Sequence, residues 1–325
     1  MLLLSLITDL CVRWKKTWLW RKTKLFDEGL KDRLKEAFED IVFDEPLCRH
    51  TSMGVGGICD GFIYACDGNI RAILDFCSES GISAAVLGNG SNIIASDEGF
   101  RGLVICVGKG MSSVEVSGNN EIRAGAGAKL SAVAELAAKN DIAGFEFLAG
   151  IPGNLGGALV MNAGAYGGEI SSLVESVTYI KDGELHCAAA ESLEYGYRKS
   201  YFMKNTDAVI TGARLRGRAG KQSEIRGLME EYLTRRSASQ PLEYPSAGSF
   251  FKRPEGHFAG KLIQDAGLRG LTVGGAQVSE KHAGFIINKG GATCADIKAL
   301  SDEVRKKVYE RFAVTLEPEV RFLGE

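Results

Sequence analysis

The chain has 325 residues, with 39 Lys and Arg against 41 Asp and Glu and a formal net charge of −2. That length suggests two or three domains, because single cores stop growing at about 250–300 residues. The balanced charge argues against nucleic-acid binding, and the 6 prolines are too few for a Pro-rich disordered chain.

In chain order, Leu2 to Val12 is mostly apolar and is followed by a basic, tryptophan-bearing stretch, Arg13 to Lys24. A membrane span needs about 20 apolar residues, and a secretory signal carries its positive charge before the apolar run rather than after it. Residues 1–24 therefore read as a poorly ordered N-terminal extension, the alternative being a weak interfacial helix. The expected location is the cytoplasm, without integral membrane association. Leu30, Leu34 and Phe38 form the stripe of a surface helix. Short β-like runs follow at Gly61–Ala65, Ala84–Leu87 and Gly102–Val107, with a helix at Ile70–Cys77 between the first two. Leu130 to Lys139 reads as an alanine-rich helix, residues 144–168 as dense loop, and Leu173–Ile180 and Ala208–Leu215 as strands. Gly217–Gly220 is the candidate domain boundary. Beyond it, Ile225, Leu228, Met229, Tyr232 and Leu233 keep helical spacing. The last helix starts near Thr293, where Thr293-x-x-Asp296 resembles a capping box, and carries Ile297, Leu300, Val304, Val308 and Phe312. Strands and helices mingle without a regular βαβ beat, so the fold class is α+β rather than a doubly wound sheet.

Glycine is the compositional outlier: 41 residues with no Gly-X-Y period, above the usual share of about 7%. These glycines mark tight turns and places where backbone approaches something closely. The eight cysteines are scattered without a C-x-x-C pair, and there are only four histidines. No metal site is expected from that spacing, and the cysteines read as reduced, mostly buried thiols.

Neither Gly88-Asn-Gly90-Ser-Asn-Ile93 nor Gly125-Ala-Gly127-Ala-Lys-Leu130 completes G-x-G-x-x-G, and a Walker A loop is also absent, so the Rossmann reading fails. Gly88-Asn89-Gly90-Ser91-Asn92 still follows a strand-like run. Its backbone N–H groups can form a concave nest for a pyrophosphate; the alternative is a plain hairpin turn. A second uncharged loop runs Ala149-Gly150-Ile151-Pro152-Gly153-Asn154-Leu155-Gly156-Gly157, then Asn162-Ala-Gly-Ala-Tyr166-Gly-Gly168. It could pack against a flat polar ring system, or be a compact surface loop. Two such loops fit a dinucleotide cofactor better than two unrelated turns. Taken alone, Ser249 reads as a turn or cap residue, and Glu317-Pro-Glu319-Val-Arg321 as a solvated strand edge.

Taken together the segments resemble the UDP-N-acetylenolpyruvoylglucosamine reductase (MurB) family. The resemblance rests on Thr51-Ser-Met-Gly-Val-Gly56-Gly57, Leu87 to Asn92, Asp97-Glu-Gly-Phe-Arg-Gly-Leu103, Gly150 to Gly157, Asn162 to Tyr166, Tyr195-Gly-Tyr197-Arg198-Lys-Ser200, Pro245-Ser-Ala-Gly-Ser249-Phe-Phe-Lys252-Arg-Pro254 and Leu316 to Arg321. These occur in the family's order from about residue 48 onward, and the Tyr-Pro-Ser-Ala-Gly-Ser form is similar to the compact type.

The resemblance implies an FAD-binding domain of the vanillyl-alcohol-oxidase-like (PCMH) type at 25–219, made of two α/β subdomains (about 25–105 and 106–219). A smaller α+β substrate-binding domain would follow at 220–325. With no histidine in Gly88-Asn89-Gly90-Ser91, the FAD is expected to be noncovalent, with NADPH as hydride donor. The implied cofactor contacts are Gly56, Gly57, Gly88, Asn89, Gly90, Ser91, Asn92, Gly150, Ile151, Pro152, Gly153, Gly157 and Arg321. The implied catalytic set is Ser249 as proton donor with Arg198 and Glu319 at the substrate carboxylate. A glutamate beside an anionic intermediate needs a raised pKa to help. Tyr197, Arg236, Lys252, Arg269 and His282 are the expected substrate contacts, with Arg235 an alternative to Arg236 and Lys252 expected to steady a Ser249 alkoxide. The expected small-molecule partners are UDP-N-acetylglucosamine enolpyruvate and NADPH. A flavin oxidase and a catalytically silent binding protein are the competing readings.

Overall fold

The computed structural model describes residues 26–324; the expected N-terminal extension lies outside the described residues. The first helix, Glu28–Ala37, is capped by Asp27, whose side chain accepts from the Leu30 N–H. Four strands form the first sheet in the order Val42–Pro46, Ile58–Ala65, Phe100–Val107, Ala84–Leu87. The first pairing is antiparallel and the other two are parallel. The helix Ile70–Ser80 makes the crossover and ends at Gly81, which takes the left-handed conformation that glycine adopts without penalty. Parallel strands are stable only when both faces are covered. Here Ile63, Leu103 and Ile105 face one core, and Phe62, Val104 and Cys106 another.

The second sheet is antiparallel, in the order Glu184–Ala189, Val174–Lys181, Val209–Arg216, Glu121–Gly125, Val114–Gly118. Its last two strands form a hairpin absent from the sequence reading; Asn120 takes a positive φ of 58° at the turn, which asparagine tolerates. The helix Leu130–Lys139 forms over the residues the alanine-rich run predicts. With Leu155–Met161 it closes a core that runs from Phe26 to Leu215 and joins both sheets.

The helix Gln222–Ser239 follows. Its Ile225 packs with Ala138 and Ala143, and Met229 and Tyr232 rest on the large core. The expected boundary at Gly217–Gly220 precedes this helix, yet the helix packs on the domain before it.

The C-terminal core begins at Ala247 and surrounds a four-stranded antiparallel sheet, in the order Ser246–Ser249, Phe285–Asn288, Ala276–Val278, Thr272–Val273. The helices Ala259–Asp265 and Cys294–Phe312 cover it, the second opened by the predicted Thr293–Asp296 capping box. Met53, Val55 and Ile94 from the first part of the chain are buried in this core. The strand Arg321–Leu323 then leaves the C-terminal unit and pairs in parallel with Ile93–Ala95. Cys59, Cys77 and Cys106 are buried free thiols; Cys294 is also buried, whereas Cys187 is exposed.

Candidate active site

The loop from Gly88 to Asn92 is shaped by close backbone contacts. Gly90 has φ 62°, and an added Cβ would sit 2.0 Å from the His50 carbonyl oxygen. The Ser52 N–H donates to the Gly90 carbonyl at 3.1 Å, so the segment Thr51 to Gly57 lies against the glycine loop. Gly57 is fixed in the same way: its Cβ would fall 2.2 Å from the Asp97 carbonyl oxygen. Among the described residues, the backbone N–H groups of Asn89, Gly90 and Ser91 donate to no protein acceptor. Buried or half-buried amides normally find partners, and consecutive free N–H groups are an anion-binding arrangement.

The second loop closes on the first. Gly153, at φ 147°, would carry a Cβ 3.1 Å from Ser91 Oγ, and Gly88 faces Asn154. Buried Asn154 donates to the Val107 carbonyl at 3.0 Å, and the Leu130 N–H donates to the Gly153 carbonyl at 3.1 Å. Ile151 rests half-buried on the large core, Pro152 is exposed, and Gly157 faces open space. Gly56 is packed against Ala95 and Leu47 instead; its glycine identity is required by neighbouring side chains.

Arg198 and Glu319 meet although far apart in sequence. Arg198 Nε donates to Glu319 Oε1 at 2.6 Å, and Nη1 donates to the Asn162 carbonyl at 3.2 Å. Both side chains are about 15% exposed. Burial pushes the Glu319 carboxyl up, while the Arg198 charge pulls it partly back. Arg198 has φ 49°, within a turn closed by Gly196 and Lys199. A non-glycine residue held there costs roughly 1 kcal/mol or more. Tyr197 places its ring under the Arg198 guanidinium, 5.0 Å from the centroid, and its hydroxyl accepts from the Arg253 N–H at 3.0 Å.

Glu319 is joined to both halves of the site. Its N–H donates to the Phe250 carbonyl at 2.8 Å, and its carbonyl accepts from Asn92 Nδ2 at 3.2 Å. One residue therefore links the glycine nest to the segment that carries Ser249. Ser249 is exposed, follows Gly248 (φ 78°) and pairs with Phe285 across a register shift. Such bulges re-aim side chains out of a ladder. Lys252 does not reach Ser249 by a hydrogen bond: its ammonium sits 3.1 Å from Glu317 Oε2.

A cavity of about 490 Å³ opens between the domains, lined by Ser52, Ser91, Gly150, Arg236, Ser246 and Gly248 among others. Among the described residues the Arg236 and Arg321 guanidiniums, both half-buried, have no ion-pair or hydrogen-bond partner, and burial depresses the pKa of each. Unpaired buried cations are expensive, so both are poised for an anion. Arg235, by contrast, is exposed and paired to Glu231. His282 packs edge-on to Phe285 with ring centroids 5.0 Å apart. Its pKa is depressed, first by burial and to a lesser degree by the Arg269 charge; Arg269 is exposed and donates to Gln264 at 2.7 Å. The sequence reading missed the amide of Asn162, which holds the Arg198 turn. The signal for it was its place in the motif Asn162 to Tyr166, which named the residue without its partners.

A family model described as the FAD binding domain matches residues 65–188. Another, described as the UDP-N-acetylenolpyruvoylglucosamine reductase C-terminal domain, matches residues 240–323. The UDP-N-acetylenolpyruvoylglucosamine reductase of Agathobacter rectalis is 46% identical over 297 residues, 88% of this chain and 94% of that protein. That of Clostridioides difficile is 45% identical over 289 residues, with the same coverages. The crystal structure of the MurB reductase from Thermus caldophilus superposes with a TM-score of 0.75 at 35% identity, covering 87% of this chain and 98% of that one. The free amides of the glycine nest thus lie in an FAD-binding domain, and the chain belongs to the UDP-N-acetylenolpyruvoylglucosamine reductase (MurB) family of FAD-dependent oxidoreductases.

Proposed function

We propose that this chain reduces the enolpyruvyl ether of UDP-N-acetylglucosamine enolpyruvate to UDP-N-acetylmuramate, with NADPH as electron donor. One observation carries the reading. Glu319, through its side chain and both backbone groups, ties the glycine nest, the Arg198 turn and the Ser249 segment into one place.

The residues fit noncovalent FAD. The free amides of Asn89, Gly90 and Ser91 with unpaired Arg321 suit a diphosphate, and the uncharged loop Gly150–Gly153 suits a ring packed against backbone. Bound there, FAD would supply hydride taken from NADPH to C3 of the vinyl ether. Addition at C3 leaves negative charge at C2, spread into the adjacent carboxylate. Arg198 faces that carboxylate, and a guanidinium stays charged throughout. The arriving carboxylate competes with Glu319 for Arg198 and adds a second negative charge beside it. Both effects raise the Glu319 carboxyl further and favour its protonated, hydrogen-bond-donating form. Ser249 gives its hydroxyl proton to C2. Arg236, on the cavity wall, is assigned to the substrate diphosphate, with Arg269 and His282 as further contacts and Tyr197 bracing the Arg198 turn.

Anaerobic titration of purified flavoprotein tests this. NADPH is expected to bleach the flavin, and UDP-N-acetylglucosamine enolpyruvate to restore its colour with formation of UDP-N-acetylmuramate. Recovery only on admitting oxygen would favour an oxidase and overturn the proposal; no reduction by NADPH would overturn the donor.

A further inference from the structure

Asn162 lies outside the residues assigned above to substrate or cofactor. Its side chain is fully buried. It ends the helix Leu155–Met161 in the left-handed conformation, φ 43° and ψ 58°. The carboxamide then uses three hydrogen-bonding positions at once. Nδ2 donates to Glu169 Oε2 and to the Gly196 carbonyl, each at 2.9 Å, and Oδ1 accepts from the Ser171 N–H at 3.1 Å. The Asn162 main-chain carbonyl accepts from Arg198 Nη1. The same residue therefore grips the first residue of the turn that displays Arg198 and the guanidinium itself. Gly196 and Lys199 close that turn with paired backbone hydrogen bonds of 3.1 and 3.0 Å. Arg198 sits within it at a φ that arginine disfavours, so an external clamp is needed to hold the side chain at one position. Aspartate has Asn162's shape but lacks both N–H donors, and would set a carboxylate against Glu169 and the Gly196 carbonyl.

We propose that Asn162 is a positioning residue: its buried amide fixes the Gly196–Lys199 turn so that Arg198 meets the substrate carboxylate. The inference rests on the role given to Arg198 under Proposed function. It concerns only the second half of the catalytic cycle, since nothing in the clamp touches the glycine nest or the Gly150–Gly153 loop.

The experiment uses the full-length flavoprotein and follows the two half-reactions separately by rapid-mixing absorbance. Asn162→Gly keeps the left-handed backbone and the carbonyl that accepts from Arg198, and removes only the amide. Flavin content and reduction by NADPH are expected to stay within about twofold of the parent. Reoxidation by UDP-N-acetylglucosamine enolpyruvate is expected to slow about 10- to 100-fold. The decisive arm is a double-mutant cycle with Arg198→Ala. If Asn162 acts through Arg198, Asn162→Gly has little further effect once the guanidinium is gone. Independent, multiplying losses would overturn the inference, as would equal slowing of both half-reactions. Should Asn162→Gly lose flavin, Glu169→Ala removes one anchor of the same amide from a less buried position. It is expected to slow reoxidation alone by about two- to fivefold, and an unchanged rate overturns the inference. If Arg198→Ala reoxidises normally, the assignment of Arg198 itself fails and the inference falls with it. If Arg198→Ala is slow and Asn162→Gly is not, the inference alone fails.

Discussion

The C-terminal domain meets the rest of the molecule along two unlike seams. Against the segments that connect the strands of the first sheet it is welded. Met53, Val55 and Ile94 lie inside its core, Arg321–Leu323 pairs with Ile93–Ala95, and Asn288 Nδ2 donates to the Met53 carbonyl at 3.1 Å. Asp97 accepts from the Cys294 and Ala295 N–H groups at 2.7 and 2.9 Å, at the start of the long helix. Against the second sheet and its helices, the contacts are polar: Arg198 to Glu319, the Arg253 N–H to Tyr197, and Lys281 to the Ser237 carbonyl at 2.8 Å. No residue between 108 and 239 enters the C-terminal core. Apolar burial supplies strength without direction, whereas short polar contacts can be exchanged for a ligand's. The weld holds the domain in place; the polar seam is where chemistry can be inserted.

Variants can separate the two roles. The largest expected effect is on the polar seam. Ser249→Ala should slow flavin reoxidation by the enolpyruvyl substrate about 100- to 10,000-fold while leaving reduction by NADPH and the melting temperature unchanged, as stopped-flow absorbance and calorimetry would show. Next comes the weld. Ile94→Ala removes a fully buried side chain from the C-terminal core and should cost about 2–5 kcal/mol in denaturant unfolding, with half-reaction rates near normal in the fraction that remains folded. Asp97→Ala strips a carboxylate cap from the long helix and should cost about 1 kcal/mol, read the same way.

The smallest effect is a pH dependence. Glu319 holds its proton more tightly in the folded protein than an ordinary carboxyl near pH 4.3. Its contribution to stability is therefore complete below that range and is lost as pH rises through the folded value. Glu319→Gln removes the titration. The melting temperature of the variant relative to the parent should rise across that window; a constant offset would mean that Arg198 offsets burial completely.

The weld and the polar seam were not equally legible. Local signals worked: the alanine-rich run gave the helix Leu130–Lys139 over its full length, and Thr293-x-x-Asp296 gave a real capping box. The helical spacing of Ile225, Met229 and Tyr232 marked an element but not its partner, because a stripe does not state which core it meets. Motif order brought Ser249, Arg198 and Glu319 into one list, but the hydrogen bonds that join Arg198 to Glu319 and Glu319 to Phe250, next to Ser249, are tertiary. Lys252 read as a neighbour of Ser249, three residues along, but pairing of Phe251 with Pro318 sets its ammonium on Glu317. Asn162 was invisible as a clamp, since its partners come from two separate segments, Glu169–Ser171 and the turn at Gly196.

The pairing of Arg321–Leu323 beside Ile93–Ala95 also bears on how the enzyme is made. Asn92 and Glu319 are separated by 227 residues, so a ribosome finishes the glycine nest long before it reaches the strand that flanks it. A nascent chain carries its prosthetic-group pocket open along one side until this very long loop closes, a step slowed by the entropy of bringing distant segments together. Flavin capture is therefore expected late in maturation, and nascent chains stalled before Glu319 are expected to hold less flavin than the released protein.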